Sequence, residues 1–245
     1  MPRFFVTPDA VGEGIITITG SDVNHIKNVL RMQAGDRIEI CDGRGNDYAC
    51  VISSLDRDSV LLDIEKCIPS DTELERKIYL FQGLPKSDKM ELIIQKAVEL
   101  GVYEIVPTVT SRCIVKIDAK KEEKKTARWQ QISESAAKQS GRGIIPAVKS
   151  PMAFNDALKY ATKLGTVLIP YEKAKGMAAT KKIISELGKT DSIAVFIGPE
   201  GGFEEKEIEL AEVAGAKAIT LGKRILRTET AGLCILAVLM IESEN

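Results

Sequence analysis

Beyond residue 76 the chain alternates short apolar runs with amphipathic stretches, and that alternation leaves few folds open. Residues 78–81 read as a strand. Residues 85–100 follow as a helix, with Ser87 as its N-cap and Met90, Ile93, Ile94, Ala97 and Val98 at i, i+3, i+4, i+7 and i+8 on one face. Gly101 ends that helix, and residues 104–106 supply the next strand. A strand, a helix and a strand in this order form a crossover unit, which requires a parallel sheet. Further helices are expected at residues 121–139, 153–163, 178–187, 204–214 and 230–242. Between the later ones lie the apolar runs 166–169, 192–197 and 218–221, short enough for fully buried parallel strands. The expected architecture is an α/β domain on a parallel sheet.

The first seventy residues follow another rule. Strands are expected at 15–19, 37–41, 47–53 and 59–65, around one helix that carries Val23, His25, Ile26 and Leu30. Asp42-Gly43-Arg44-Gly45-Asn46 reads as a hairpin tip, because glycine reaches the positive-φ conformations of tight turns. Closely spaced strands of this kind suggest a small β-barrel. Residues 69–76, polar and headed by Pro69, read as a linker, so the expected domains are residues 1–70 and 71–245.

Composition narrows the function classes. With 44% hydrophobic and 28% charged residues, a packed core is affordable and disorder is excluded. The longest nearly uncharged apolar run, residues 231–241, falls well short of the roughly 20 residues a membrane span needs. Pro8 and Asp9 interrupt any signal-peptide core, so a cytoplasmic location is expected. Five cysteines without a Cys-x-x-Cys pair read as reduced and mostly buried thiols. His25, the single histidine, removes every His-His metal motif, and no metal is expected.

Net charge is −1, so this is no indiscriminate polycation. Residues 1–70 hold seven basic and eleven acidic side chains, and residues 111–149 hold ten basic against four acidic. That second stretch, with Arg112, Lys116, Lys120, Lys121, Lys124, Lys125, Arg128, Lys138, Arg142 and Lys149, offers either a local basic face or a solvated helix laced with Glu122 and Glu123.

Parallel sheets bind ligands at the carboxyl ends of their strands. Three loops there stand out: Pro170-Tyr171-Glu172, Gly198-Pro199-Glu200-Gly201-Gly202, and residues 222–229. The second has neither a dinucleotide fingerprint nor a phosphate loop, and the helix after it opens with Glu204, Glu205 and Glu207. Carboxylates there would repel a phosphate, so an uncharged or cationic ligand suits the loop better than a nucleotide, unless it is only a tight strand-to-helix turn. The third places Lys223, Arg224 and Arg227 and the carboxylate Glu229 around apolar Ile225 and Leu226, directly before the most apolar helix of the chain. A pure connector would need neither the cations nor the apolar pair; helix capping by Thr228 or Thr230 with solvated charges is the lesser alternative.

These two loops, about twenty residues apart, resemble the knotted SPOUT class of RNA methyltransferases, and within it the bacterial family that methylates N3 of a uridine in 16S ribosomal RNA. The resemblance extends to Arg3-Phe4-Phe5, His25-Ile26-Lys27-Asn28-Val29-Leu30-Arg31, Gln82-Gly83-Leu84-Pro85-Lys86, Glu99-Leu100-Gly101 and Ser135-Ala136-Ala137-Lys138-Gln139-Ser140-Gly141-Arg142. It implies a PUA-like β-barrel RNA-binding domain, followed by an α/β domain whose C-terminal segment threads a deep trefoil knot. It also implies S-adenosyl-L-methionine as methyl donor, 16S rRNA of the small ribosomal subunit as substrate, and a homodimer.

Residue by residue, the resemblance implies a cofactor site of Ile169, Pro170, Ile197, Gly198, Glu200, Gly201, Leu221, Gly222, Ile225, Leu226 and Thr228. Glycines there would admit a sulfonium-bearing ligand to the backbone, between apolar walls. Arg227 is expected to stabilise the negative charge left on the uracil as N3 loses its proton, with Glu229 orienting Arg227 or relaying that proton. RNA contacts are expected from Arg3, Lys27, Arg31, Lys86, Arg112, Lys138 and Arg142. Two other functions fit the same residues: ribose 2′-O methylation within the class, or a non-catalytic RNA-binding or ribosome-assembly factor.

Overall fold

The computed structural model describes residues 1–114, 119–174, 176–188 and 191–244, so Lys116 of the basic stretch lies outside the described residues. The chain divides into two compact units, Met1–Glu73 with Ala137–Ile145, and Leu74–Ala136 with Pro146–Asn245. The first unit thus takes in a late segment that a linear boundary at residue 70 would assign to the second.

In the first unit, β1 (Arg3–Phe5), β2 (Ile15–Thr19), β3 (Arg37–Cys41), β4 (Asn46–Leu55) and β5 (Ser59–Pro69) form one sheet in the order β1-β3-β4-β5-β2. Only β1 and β3 run parallel. Period-two alternation sends Ile16, Ile18, Ile38, Ile40, Ile52, Val60 and Leu62 into one core. Register shifts in the β4–β5 pair bend the sheet into a half-barrel. The hairpin tip forms as expected, with Gly43 and Gly45 at φ 66° and 99°. β1 itself escaped the sequence reading, because three residues carry no period.

The returning segment is wired to this tip by its backbone: Gly45 N–H donates to Gly143 O at 2.9 Å and Ile145 N–H to Gly43 O at 3.2 Å. A Cβ on Gly143 would stand 2.3 Å from the Ser70 side chain, so only glycine fits. A short α1 (Ser21–Asn24), continued by a wider turn through Val29, packs Val23 and Ile26 inward. His25 stays exposed, edge-on to Phe4 with ring centroids 5.6 Å apart.

The second unit is built on a sheet of β6 (Lys77–Gly83), β7 (Glu104–Val109), β8 (Ala147–Val148), β9 (Met152–Ala153), β10 (Thr166–Pro170), β11 (Ser192–Ile197) and β12 (Lys217–Ile219). Their order is β12-β10-β11-β6-β7-β8, with β9 also on β7, and every pairing is parallel. Phe81 of β6 and Phe196 of β11 stack at 4.5 Å in its core.

Among the described residues six helices cover this sheet: α2 (Lys89–Glu99), α3 (Ala119–Ser140, whose last turn belongs to the first unit), α4 (Phe154–Ala161), α5 (Met177–Ser185), α6 (Glu205–Val213) and α7 (Thr228–Ile241). All five apolar positions expected on the inner face of α2 are buried. Ser87 does not cap that helix: it sits at φ 56°, outside the first turn, and Asp88 takes the capping position. Helix α7 packs on α2, β6 and β11 through Gly232, Ile235, Leu236 and Leu239, and leaves Val238 and Ile241 exposed.

All five cysteines are free thiols, but only Cys41 and Cys50 are buried. Burial pushes both thiols up to about 11. The expectation of mostly buried cysteines therefore fails for Cys67, exposed near the end of β5, for Cys234, exposed on the outer face of α7, and for Cys113, half-buried in the turn after β7. Among the described residues no helix is long and apolar enough to cross a membrane.

Candidate active site

The carboxyl ends of β10 and β11 and the start of α7 enclose a cavity of about 480 Å³. Its walls come from Pro170, Tyr171 and Glu172 after β10, from Ile197 and the whole run Gly198 to Phe203 after β11, and from Ile225, Leu226, Arg227, Thr228 and Ala231, with Arg112 at the rim. Three loops singled out as strand ends thus meet around one space. Ile169, Leu221 and Gly222 are not part of its lining. Ile169 is fully buried in the sheet core, and Gly222, at φ 114°, donates its N–H to Thr220 Oγ1 and shapes the turn behind the wall.

The loop after β11 is held against β6 with no room to spare. A Cβ on Gly83 would lie 2.6 Å from the Pro199 nitrogen, and one on Gly198 would lie 3.0 Å from the Gly202 backbone. Gly202, at φ 67°, would carry its Cβ into open space, as a glycine facing the cavity should. Gln82, at the end of β6, donates through Nε2 to Thr228 Oγ1 at 2.9 Å, and Thr228 donates in turn to Gly198 O at 2.6 Å. Thr228 is therefore both wall and tie. Gln82 carried no periodic or compositional signal, since a single amide in a buried strand reads as noise.

Carboxylates, not anion-binding amides, surround the mouth. Glu207 accepts the N–H groups of Glu204 at 2.9 Å and Ser111 at 2.8 Å, so the start of α6 is occupied by a side chain of its own. Glu200 accepts from Lys86 N–H at 3.1 Å and from Lys89 Nζ at 3.1 Å. Partial burial pushes its carboxyl up, but the N–H groups of Glu200 and Lys86 and the Lys89 ammonium outweigh this and hold it below the ordinary 4.5. Lys89 Nζ also lies 3.5 Å from Glu229 Oε2. Among the described residues Glu229 makes no ion pair with Arg227, so it does not orient Arg227 as expected. Its partner comes from α2, which sequence spacing could not bring to it. Arg227 is exposed at the cavity lip.

A phosphate would find no cradle here, whereas the apolar faces of Ile197, Phe203, Leu226 and Ala231, the glycine backbone and the flanking Glu172 and Glu200 fit a cation with an aromatic body. The volume lies within the usual range for cofactor pockets, about 300–1,000 Å³.

Comparison with known proteins agrees with this geometry. Residues 72–240 match the family model of the RNA methyltransferase domain, and residues 18–65 match that of the RNA methyltransferase PUA domain. The chain belongs to the RNA methyltransferase family. It is 37% identical to the ribosomal RNA small subunit methyltransferase E of Bacillus subtilis over 100% of this chain and 98% of that one. Against the enzyme of the same name from Mesomycoplasma hyopneumoniae the identity is 35%, over 96% and 97%. A crystal structure of the Neisseria gonorrhoeae ribosomal RNA small subunit methyltransferase E, bound to S-adenosyl methionine, superposes with a TM-score of 0.82 at 33% identity, covering 99% of this chain and 98% of that one.

Within this methyltransferase the residues expected to touch RNA divide by environment. Arg3 is mostly buried: it pairs with Asp47 at 2.6 Å and Glu39 at 3.5 Å, and it donates to the Gly141 carbonyl. Arg142, with a side chain only 5% exposed, is held by Glu73 at 3.0 Å. Both arginines tie the returning segment into the first unit and are withdrawn as RNA ligands, since burial and a carboxylate partner leave no face for a phosphate. Lys27 donates to Asp56 O at 2.6 Å at the surface. Arg31, Lys86 and Lys138 are exposed, Lys138 lying 6.0 Å from the Phe5 ring. Arg112, also exposed, donates to Gly201 O at 2.8 Å and so is part of the cavity rim.

Proposed function

We propose that this S-adenosylmethionine-dependent ribosomal RNA methyltransferase transfers its methyl group to N3 of a uridine in 16S rRNA of the small subunit. The observation that carries the reading is the cavity at the ends of β10 and β11, walled by glycine backbone and apolar side chains and bordered by carboxylates. The identity of this chain to named relatives along its full length supports it.

When bound, the donor supplies an electrophilic methyl group on a sulfonium. The chain's own residues do the rest. Ile197, Phe203 and Leu226 exclude water from the walls, and the Gly198 to Gly202 backbone admits the ligand at close range. Arg227, exposed at the lip, faces the space where uracil must arrive. Its guanidinium stabilises the charge that develops on the carbonyl oxygens flanking N3. Glu229, lodged beside Lys89, relays the imide proton. Because N3 lies on the pairing edge, the uridine must be unstacked to reach the site.

RNA is held by Lys27, Arg31 and Lys138 of the first unit and by Lys86 and Arg112 of the second. Two copies of the chain pair through α7, whose Cys234, Val238 and Ile241 lie exposed on an otherwise apolar helix. The C-terminal segment threads the trefoil knot of the SPOUT class, and the enzyme works in the cytoplasm.

The test is transfer of labelled methyl from S-adenosylmethionine to small subunits from cells lacking this protein, followed by mass spectrometry of the digested RNA. A methyl on uracil N3 is the expected product. A methyl on ribose, or none, overturns the reading.

A further inference from the structure

A second, smaller cavity of about 200 Å³ lies in the same unit, between the turn after β6 and helix α3. Its lining combines Leu84, Pro85, Met90 and Trp129 with Lys125 and Arg128. Resting on the RNA methyltransferase reading above, we infer that this cavity receives one base of the single-stranded RNA beside the target uridine, with Lys125 and Arg128 on the adjoining phosphate.

Three observations lead there. The volume is below the usual range for cofactor pockets, about 300–1,000 Å³, and suits a single base. Its chemistry is that of a base site, with an indole and apolar side chains at the floor and cations at the edge. Asp88 and Glu91 also line it, so the site is not a plain anion hole. Glu91 holds Arg128 at 3.2 Å, but the two side chains are 36% and 60% exposed. An ion pair so wet is worth little, so a phosphate can take the guanidinium over.

The second observation is position. The turn from Leu84 to Asp88 that lines this cavity also sends the Lys86 N–H to Glu200, on the wall of the cofactor cavity. One turn is the partition between the two spaces, so a strand with its uridine in the first can lay a neighbour in the second. The third is conformation: Ser87, at the centre of the turn, is held at φ 56°, a strained state for a residue with a side chain.

Trp129 is the single tryptophan of the chain, so its fluorescence reports this cavity and nothing else. The experiment titrates the full chain, saturated with S-adenosylhomocysteine, with a short oligouridylate. It then compares wild type with the Lys125→Ala/Arg128→Ala double variant in methyl transfer to small subunits. The expected result is a saturable change in Trp129 emission that the double variant loses. The KM for subunits should rise about tenfold and depend less steeply on salt. Affinity for S-adenosylhomocysteine, measured by calorimetry, stays unchanged and shows that the variant is folded. An unaltered KM overturns the inference, and so does a raised KM without any change in emission, which would move the RNA off the cavity. Either outcome leaves methylation of uracil N3 by the wild type intact, whereas failure of the functional reading shows in the wild-type product itself, as a methyl on ribose or none.

Discussion

Gln82 and Thr228, 146 positions apart in the chain, share a buried hydrogen bond of 2.9 Å, and through it the end of β6, the start of α7 and the loop after β11 become one rigid frame. Thr228→Val keeps the shape and removes both the donor to Gly198 O and the acceptor for Gln82. Leaving buried partners unsatisfied costs about 1–3 kcal/mol. The expected outcome is a Kd for S-adenosylmethionine raised by about tenfold, read by calorimetry. An unchanged Kd would show that Thr228 is wall only.

Gly83 is sterically obligatory where Gly202 is only conformationally so. An alanine at 83 drives its Cβ to 2.6 Å from the Pro199 nitrogen, a backbone atom that can yield only if the whole loop shifts. An alanine at 202 meets nothing within 4 Å and pays only for its φ of 67°, about 1 kcal/mol. Gly83→Ala should therefore lower the melting temperature by several degrees and abolish cofactor binding at micromolar ligand, while Gly202→Ala binds with a modest loss. Thermal melts with and without S-adenosylmethionine check both. Equal behaviour of the two variants would remove the steric argument.

Much of this architecture is legible in the sequence, for a physical reason. A strand buried on both faces, such as Ser192–Ile197, announces itself as an unbroken apolar run and the inner face of α2 by its helical period, and the strand-end loops follow from the parallel sheet. What stays hidden is non-periodic. Arg3 and Arg142 look like surface cations until Asp47 and Glu73 are seen beside them. The Lys89 bridge to Glu200 and Glu229 joins three elements that only the fold brings together. Ser87, a good capping residue by composition, lost to Asp88 because the turn needed a left-handed residue first. The two-residue strands β8 and β9 are too short to show any period.

Arg227 is placed to act on the reaction and not on the fold, since its side chain is exposed and its backbone alone begins α7. Loss of one preorganised donor to a developing anion costs about 10²–10³ in kcat. Arg227→Ala should show that loss with the S-adenosylmethionine Kd unchanged. Single-turnover kinetics separate the cases: a fall confined to RNA affinity removes Arg227 from the chemical step.

Glu73 makes the opposite prediction. Its carboxylate receives Arg142 and also the N–H groups of Gly143 at 2.8 Å and Ile144 at 3.2 Å, all within the first unit. Glu73→Ala leaves a guanidinium only 5% exposed without its counter-charge, a change that costs about 3–5 kcal/mol in buried pairs. Chemical denaturation should show that destabilisation. Stability within about 0.5 kcal/mol of wild type, the range of neutral surface changes, would return Arg142 to the pool of RNA ligands.

The acid limb of stability should carry the signature of Glu200. A carboxyl held below 4.5 in the folded chain stabilises it fully above the unfolded value, and loses that contribution as pH falls through the lower folded value. Between pH 7 and 5 the loop's attachment to Lys86 and Lys89 is therefore constant, and it weakens only in stronger acid. Glu200→Gln removes the titration, so its melting temperature should fall less steeply below about pH 4.5 than that of the wild type. Parallel acid limbs would mean that Glu200 is free in solution.

Thiol reactivity tests the pairing through α7. Cys67 and Cys234 are exposed in the single chain, while Cys41 and Cys50 are buried and raised to about 11, so at pH 8 a disulfide reagent should modify the first pair and spare the second until unfolding. Cys234 lies on α7 with exposed Val238 one turn along and Ile241 beyond it, whereas Cys67 lies on β5 of the other unit. A dimer formed through α7 covers Cys234 and leaves Cys67 alone. The expected rate for Cys234 is therefore slow at high protein concentration and approaches that of Cys67 on dilution. Equal and concentration-independent rates at the two thiols would place the dimer contact elsewhere.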